Sequence, residues 1–358
     1  MFPLKWEFYV YADKAWGAML QELRLAKTSI DIEHYIFAAD TIGMQFIEVL
    51  KEKIKEGVRV RLLIDGAGSY NFYNSNVPDE MIHLGIEVRF FHVISPWRIK
   101  NISSWFLRNH KKNITIDKRV SFIGGLGIRD NMTDWRDFTG KVEGKIVEEI
   151  CDSFEDMWVE SINRNFIERL RNAKIKLSKK DFITNDPYFH KRFLYYTFIE
   201  TMRSAEKSIC ISTPYLIPDR KIMRILRLAV KRGVQVKIIV PKTSDAPVVH
   251  LAMHSTFSEL LKSGVRIFEY SKEFIHAKKI IIDDDWATFG SFNMDNLSFR
   301  YNHEANVVTF NKKCIADIMK YFSEEEFLSH EINYSDWNDR PFPEKVKEFF
   351  IGSIRGFL

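Results

Sequence analysis

The feature that most constrains this chain is that it is written twice. AKTSIDIEHYIF from Ala26 matches AEKSICISTPYL from Ala205, KEGVRVRLLID from Lys55 matches KRGVQVKIIVP from Lys231, and LGIEVRFF from Leu84 matches SGVRIFEY from Ser263, all in the same order. An ordered repeat predicts two like units related by a pseudo-twofold axis. Within each unit, helix and strand alternate. Trp16, Met19, Leu20 and Leu23 fall at i, i+3, i+4 and i+7 after an Asp13 cap, predicting an amphipathic helix before the strand SIDIEHYI. A second helix runs from about Thr41 to Glu56 and stops at Gly57 before the β-branched VRVRLLID. In the second copy Asp219 opens a helix that Gly233 ends, and Asp245 opens another that Gly264 ends. This alternation predicts an α/β fold with sheets covered by helices, α/β/α in each repeat. The stretch from about Val147 to Leu170, followed by the polar AKIKLSKKD, reads as the joint. It places the boundary near Lys180, with repeats over 1–180 and 181–358.

Length agrees, because 358 residues exceed what one core usually absorbs. At 46% hydrophobic and 28% charged, the composition excludes wholesale disorder. Lys and Arg number 53 against 48 Asp and Glu, so the net charge of +5 is too mild for a nucleic-acid packaging protein and agreeable to a phospholipid surface.

Each copy ends in HxKxxxxD: His110, Lys112 and Asp117 in NHKKNITID, then His276, Lys278 and Asp283 in IHAKKIIID. One copy arises easily by composition and reads as a core histidine beside a solvated lysine; two at matching places in a repeat do not. Residues i and i+2 of a strand share a face, so each His is expected beside its Lys. Asp117 and Asp283 have the opposite parity, and are expected to face away from the cleft, buried and structural. Beginning seven positions past each Asp come Gly124, Gly125, Leu126 and Gly127 in one copy, and Gly290, Ser291, Phe292 and Asn293 in the other. Small residues there let backbone amides, Ser291 and Asn293 approach a phosphate. Asp137 lies 27 positions after His110, and Glu304 lies 28 after His276. A carboxylate thus returns to each site, able to hold an imidazole in one tautomer.

On these residues the sequence resembles the phospholipase D superfamily, whose hallmark is the duplicated HxKxxxxD with a downstream GSxN. Within it, HYIFAADTIG, LLIDGAGS, DWRDFTGKVEG, PYLIPD and GSFNMDNLSFRYNHEANV are most similar to bacterial cardiolipin synthases. The resemblance implies a phosphodiester transferase that works through a covalent phosphohistidine, with no metal and no cofactor. It also implies His110 as nucleophile, His276 as acid and base, Lys112, Lys278, Asn293 and Ser291 on the phosphate oxygens, and Asp137 and Glu304 orienting the imidazoles. Gly127 departs from the pattern, standing where an Asn is usual.

The implied substrate is phosphatidylglycerol, with the membrane surface as partner and nucleic acid disfavoured. A phospholipase D hydrolase or a nuclease of the same superfamily would share the motif. From Gly85 to His110 is 25 steps, against 12 from Gly264 to His276. The 13 extra residues fall near 96–109, where Trp97, Ile99, Ile102, Trp105, Phe106 and Leu107 mix with Arg98, Lys100 and Arg108, in the manner of a bilayer contact or a lid. The tail near 344–358 reads as an amphipathic helix docked on the second repeat. Three scattered cysteines, Cys151, Cys210 and Cys314, and the lack of a visible signal segment or spanning run predict a cytoplasmic protein peripherally bound to the cytoplasmic membrane.

Overall fold

The computed structural model describes residues 5–93, 107–162, 181–187 and 192–354. The first half contributes β1 (Lys5–Tyr11), β2 (Ser29–His34), β3 (Arg59–Asp65), β4 (Glu87–Phe91), β5 (Arg108–Asn109), β6 (Lys112–Ile116), β7 (Val120–Gly124) and β8 (Arg136–Glu143). All but β5 form one sheet in the order β1-β8-β7-β6-β2-β3-β4. The second half contributes β9 (Phe182–Asn185), β10 (Ser208–Ser212), β11 (Gln235–Pro241), β12 (Arg266–Tyr270), β13 (Lys279–Ile282), β14 (Trp286–Gly290), β15 (Asn302–Thr309) and β16 (Ser329–Glu331). Their sheet runs β16-β12-β11-β10-β13-β14-β15-β5, with β9 also on β15. Without β16 and β5, this order read backwards is the first sheet's order without β1, strand for strand. The sequence repeat is therefore a repeat of topology: three parallel strands, then three antiparallel ones.

The helices cover these sheets for reasons mostly local. The helix Thr41–Lys55 is capped by Asp40, whose carboxylate accepts from Gly43 N, and ends before Gly57 at φ +86. Asp219 caps Arg220–Lys231 by accepting from Lys221 N and Ile222 N. Two expected caps are absent. Asp13 lies inside the first turn of Ala12–Leu25, where it complements the helix dipole, and Tyr11 precedes the helix without a side-chain cap. The helix Pro247–Lys262 starts beyond Asp245, which instead accepts from the Tyr215 hydroxyl at 2.8 Å.

Each half has its own core, and a third apolar cluster joins them, with Ile123, Phe138 and Val142 from the first half and Ile281, Phe289 and Val307 from the second. At its centre the Phe138 and Phe289 rings meet edge-on, 5.6 Å apart. Burial at this seam fixes the end of β8 against the second half, and that end carries the site. The helix Phe342–Ile354 is docked as expected, with Ile351 against the second-half core and Phe350 exposed. The boundary near Lys180, the Trp97 and Trp105 insertion through Phe106, Phe357 and the side chains of Phe349 and Ile354 lie outside the described residues. Among the described residues no helix is long and apolar enough to cross a membrane, and all three cysteines are unpaired.

Candidate active site

The two motifs meet across the seam. Neither motif histidine lies within a strand: His110 sits between β5 and β6, and His276 and Lys278 just precede β13. Cross-repeat backbone bonds place them, His110 N donating to His303 O at 2.9 Å and His276 N to Arg136 O at 2.7 Å. His303 and Arg136 immediately precede Glu304 and Asp137, so each motif is held beside the other repeat's carboxylate. The carboxylates are accordingly exchanged. His110 Nδ1 lies 2.9 Å from Glu304 Oε1, and His276 Nδ1 lies 2.7 Å from Asp137 Oδ2. Each Nδ1–H donates to its carboxylate, which leaves Nε2 as the lone-pair nitrogen of both neutral rings, that of His276 within reach of Lys278 Nζ.

The carboxylates are themselves fixed. Glu304 accepts from Ser291 Oγ at 2.5 Å and Ser298 Oγ at 2.7 Å, and Asp137 accepts from the backbone amides of Gly125 at 3.1 Å and Phe138 at 2.5 Å. Ser291 and Gly125 occupy the same place in the two repeats and do the same task with different atoms. At Gly125 a Cβ would stand 2.7 Å from Asp137 Oδ1 and 2.9 Å from Lys278 Nζ, which explains why this copy carries glycine there. The missing Asn at Gly127 has a steric reason also, since a side chain there would press on Ile36 and on Met132. Asn293 in the second copy is buried, lines the cleft, and its Oδ1 is without a hydrogen-bond partner. The two copies are thus asymmetric at this place.

Burial dominates the electrostatics. It pushes His110 below its ordinary value, with Lys112 adding to the effect and Glu304 opposing it. It lowers His276 to about 4, helped by Lys278 and opposed by Asp137. Burial likewise brings Lys112 down to about 7 and Lys278 to about 8, although nearby carboxylates resist it. Burial alone would raise Asp137 and Glu304; the histidine and lysine partners outweigh it and hold both below the usual range. Lys112 Nζ donates to the His110 carbonyl at 2.8 Å, and Lys278 Nζ to the His276 carbonyl at 2.7 Å while lying 2.9 Å from its Nε2.

Asp117 and Asp283 are outside the cleft, as parity predicts, but half-buried at the surface rather than buried. Both adopt positive φ, +51 and +53, just past β6 and β13. Asp117 accepts from the amides of Lys27, Thr28 and Ser29, and Asp283 from those of Glu206, Lys207 and Ser208, so each clamps the loop entering the neighbouring strand. Arg108 is likewise turned inward: it is 7% exposed and bound to Asp65, which removes it from any bilayer contact.

The cleft encloses about 580 Å³ and opens between the halves. Its walls include residues not singled out above: Tyr35, edge-on to His110 at 4.7 Å; Trp135, 4.9 Å from His276; Tyr215; and Asp295, which burial raises to about 7. Their signal in the sequence was position, since Tyr35 and Tyr215 stand in the repeated HYIF and TPYL, and Trp135 and Asp295 within two residues of Asp137 and Asn293. Among the described residues, no group of three or more His, Cys, Asp or Glu is placed to hold a metal ion.

A family described as cardiolipin synthase, PLD-like domain, matches residues 19–158 and 198–325. Cardiolipin synthase 1 of Bacillus cereus is 32% identical over 97% of this chain and 71% of its own length. The cardiolipin synthase of Alkalihalophilus pseudofirmus is 33% identical over 94% of this chain and 68% of its own. Among solved structures, phosphatidylserine synthase from Haemophilus influenzae superposes with a TM-score of 0.76 at 15% identity, covering 99% of this chain and 95% of that one.

Proposed function

This chain belongs to the cardiolipin synthase, phospholipase D-like family, and from that premise we propose that its cleft transfers a phosphatidyl group from one phosphatidylglycerol to another, releasing glycerol. It is a cardiolipin synthase-like phosphatidyltransferase. The finer reading is carried by one observation: two imidazoles, each with Nδ1 fixed on the opposite repeat's carboxylate, share a cleft with buried Lys112, and buried Lys278 lies against His276.

The steps follow from this arrangement. His110 Nε2 attacks phosphorus, the bond from phosphorus to the headgroup glycerol oxygen breaks, and His276 gives that oxygen a proton. The acceptor's glycerol hydroxyl then attacks the phosphohistidine, the phosphorus–nitrogen bond breaks, and His276 takes the hydroxyl proton. Lys112, Lys278 and Asn293 are assigned to the nonbridging oxygens, whose charge is most costly in so buried a cleft; Ser291, expected there from the sequence, instead commits its hydroxyl proton to Glu304. A neutral His110 suits the nucleophile. His276 must carry a proton, and a phosphodiester anion between the two lysines raises its affinity for one. We place the enzyme at the cytoplasmic face of an anionic membrane, built of repeats 1–180 and 181–358.

The test is incubation with labelled phosphatidylglycerol vesicles without added metal, followed by lipid mass spectrometry. Cardiolipin and glycerol in equal amounts are expected. Phosphatidic acid alone would replace transfer by hydrolysis.

A further inference from the structure

We propose that the outer face of the helix Arg220–Lys231, with Tyr196 and Arg203 of the neighbouring helix Phe193–Ser204, is a docking surface for an anionic phospholipid bilayer, separate from the cleft. The inference rests on the lipid-substrate reading above and adds to it the face by which the enzyme meets its substrate's membrane.

The helix RKIMRILRLAVK sorts its residues sharply. Ile222, Met223, Ile225, Leu226 and Ala229 are buried, which turns Arg220, Lys221, Arg224 and Lys231 outward. Lys221, Arg224 and Arg232 join Arg203 around a surface hollow of about 510 Å³ that also holds Leu228. Among the described residues, Arg227 of this helix is paired, with Glu259, whereas Arg203, Arg220, Lys221, Arg224, Lys231 and Arg232 have no acidic partner. Four of these cations, Arg203, Lys221, Arg224 and Arg232, line the one hollow, and no acidic side chain lines it with them. Folding has therefore gathered like charge on one face, at a Coulombic cost that an external anionic surface relieves.

The cations are also positioned. Arg232 Nη2 donates to the carbonyls of Arg203 and Ala205, and Lys221 Nζ lies 5.9 and 5.7 Å from the ring centres of Tyr195 and Tyr196. Interleaved with them, Leu228 is 42% exposed and Tyr196 is 51% exposed. A cationic face with an apolar residue and a tyrosine at its centre suits the interfacial layer of a bilayer, where charge meets phosphate and the apolar groups enter the acyl boundary. A nucleic-acid backbone would use the charge and leave Leu228 in water.

The test compares the wild-type chain with Arg203→Gln/Lys221→Gln/Arg224→Gln, leaving Arg232 and the core side of the helix untouched. Binding is read by cosedimentation with vesicles of phosphatidylglycerol and phosphatidylcholine, and with phosphatidylcholine alone. The wild type should bind the anionic vesicles only, and be released as salt rises from about 0.1 M to 1 M and the screening length falls from about 10 Å to 3 Å. Each cation near an anionic surface contributes about fivefold, so the triple variant should bind roughly a hundredfold more weakly. Turnover of a short soluble phosphodiester and the melting temperature should not move. If the triple variant is destabilised, Arg224→Gln alone should still weaken binding about fivefold. Vesicle binding within about threefold of wild type for both variants would overturn the proposal, as would equal binding to phosphatidylcholine. So would a face whose neutralisation abolished oligonucleotide binding and spared the vesicles. Because the readout is binding, a chain that docks through this face yet makes no cardiolipin would sink the proposed reaction and leave this inference standing.

Discussion

Replacing Asp117 by Ala separates the structural part of the HxKxxxxD motif from its chemical part. Asp117 sits at φ +51 after β6 and accepts from Lys27 N, Thr28 N, Thr28 Oγ1 and Ser29 N, tying the loop that enters β2. The donors on Lys27 and Thr28 are exposed and rehydrate when the carboxylate is removed, whereas the Ser29 residue is buried. Its stranded amide costs about 1–3 kcal/mol. Left-handed backbone costs an alanine a further 1–2 kcal/mol or so, and aspartate or asparagine much less. Asp117→Ala should therefore lose about 3 kcal/mol in urea unfolding. Asp117→Asn, which keeps a carbonyl acceptor and tolerates the backbone, should lose about 1 kcal/mol. The Asp117 carboxyl is held below its usual range because the amide bonds outweigh burial. Its contribution is thus complete above about pH 4 and fades as pH falls through the depressed folded value. Turnover of a soluble phosphodiester at 25 °C should change less than about threefold, since the loop is remote from the imidazoles. Lost turnover with an unchanged unfolding midpoint would refute the clamp and return Asp117 to the chemistry.

Three further outcomes follow from the site. Glu304→Gln and Asp137→Asn should each lower kcat by about a hundredfold to ten-thousandfold with little change in KM, because each releases one imidazole from its tautomer; an effect confined to KM would contradict the orienting role. With Lys112 at about 7 and Lys278 at about 8, the free enzyme loses the two cations assigned above to the phosphate as pH rises. The kcat/KM profile on soluble substrate should therefore fall across pH 7–8, and a flat profile to pH 9 would contradict it. Lys279 and Glu325 form a fully buried pair beneath the second motif. Lys279→Met should destabilise by about 3 kcal/mol in thermal or urea unfolding by stripping Glu325 of its nearest cation, and a loss below about 1 kcal/mol would show that Arg136 suffices.

The duplication, the order of strands and helices and the paired motifs were legible because each leaves a local mark: a repeated phrase, a period, a spacing. What was not legible was set by packing between distant segments. Spacings of 27 and 28 residues announce a carboxylate for each site, yet they do not say that Glu304 crosses to His110 and Asp137 to His276; the seam around Phe138 and Phe289 decides that. Strand parity put Asp117 and Asp283 outside the cleft, but it missed that the histidines precede their strands and that the aspartates act as left-handed loop clamps. Arg108 looked like a surface cation from its aromatic neighbours, and burial beside Asp65 withdraws it. Asp245 has the spacing of a helix cap, but the hydroxyl of Tyr215, reached across the fold, engages its side chain.

In the proposed reaction one composite site serves both repeats, with His110 carrying the phosphatidyl group and His276 the proton. Rapid quench into alkaline denaturant, which preserves phosphohistidine, of the wild type with phosphatidylglycerol and of His276→Ala with a nitrophenyl phosphodiester, whose leaving group needs no proton, followed by peptide mapping, is the test. An adduct on His110 alone is expected, and it should accumulate in His276→Ala. An adduct on His276, or on both histidines independently, would contradict these roles.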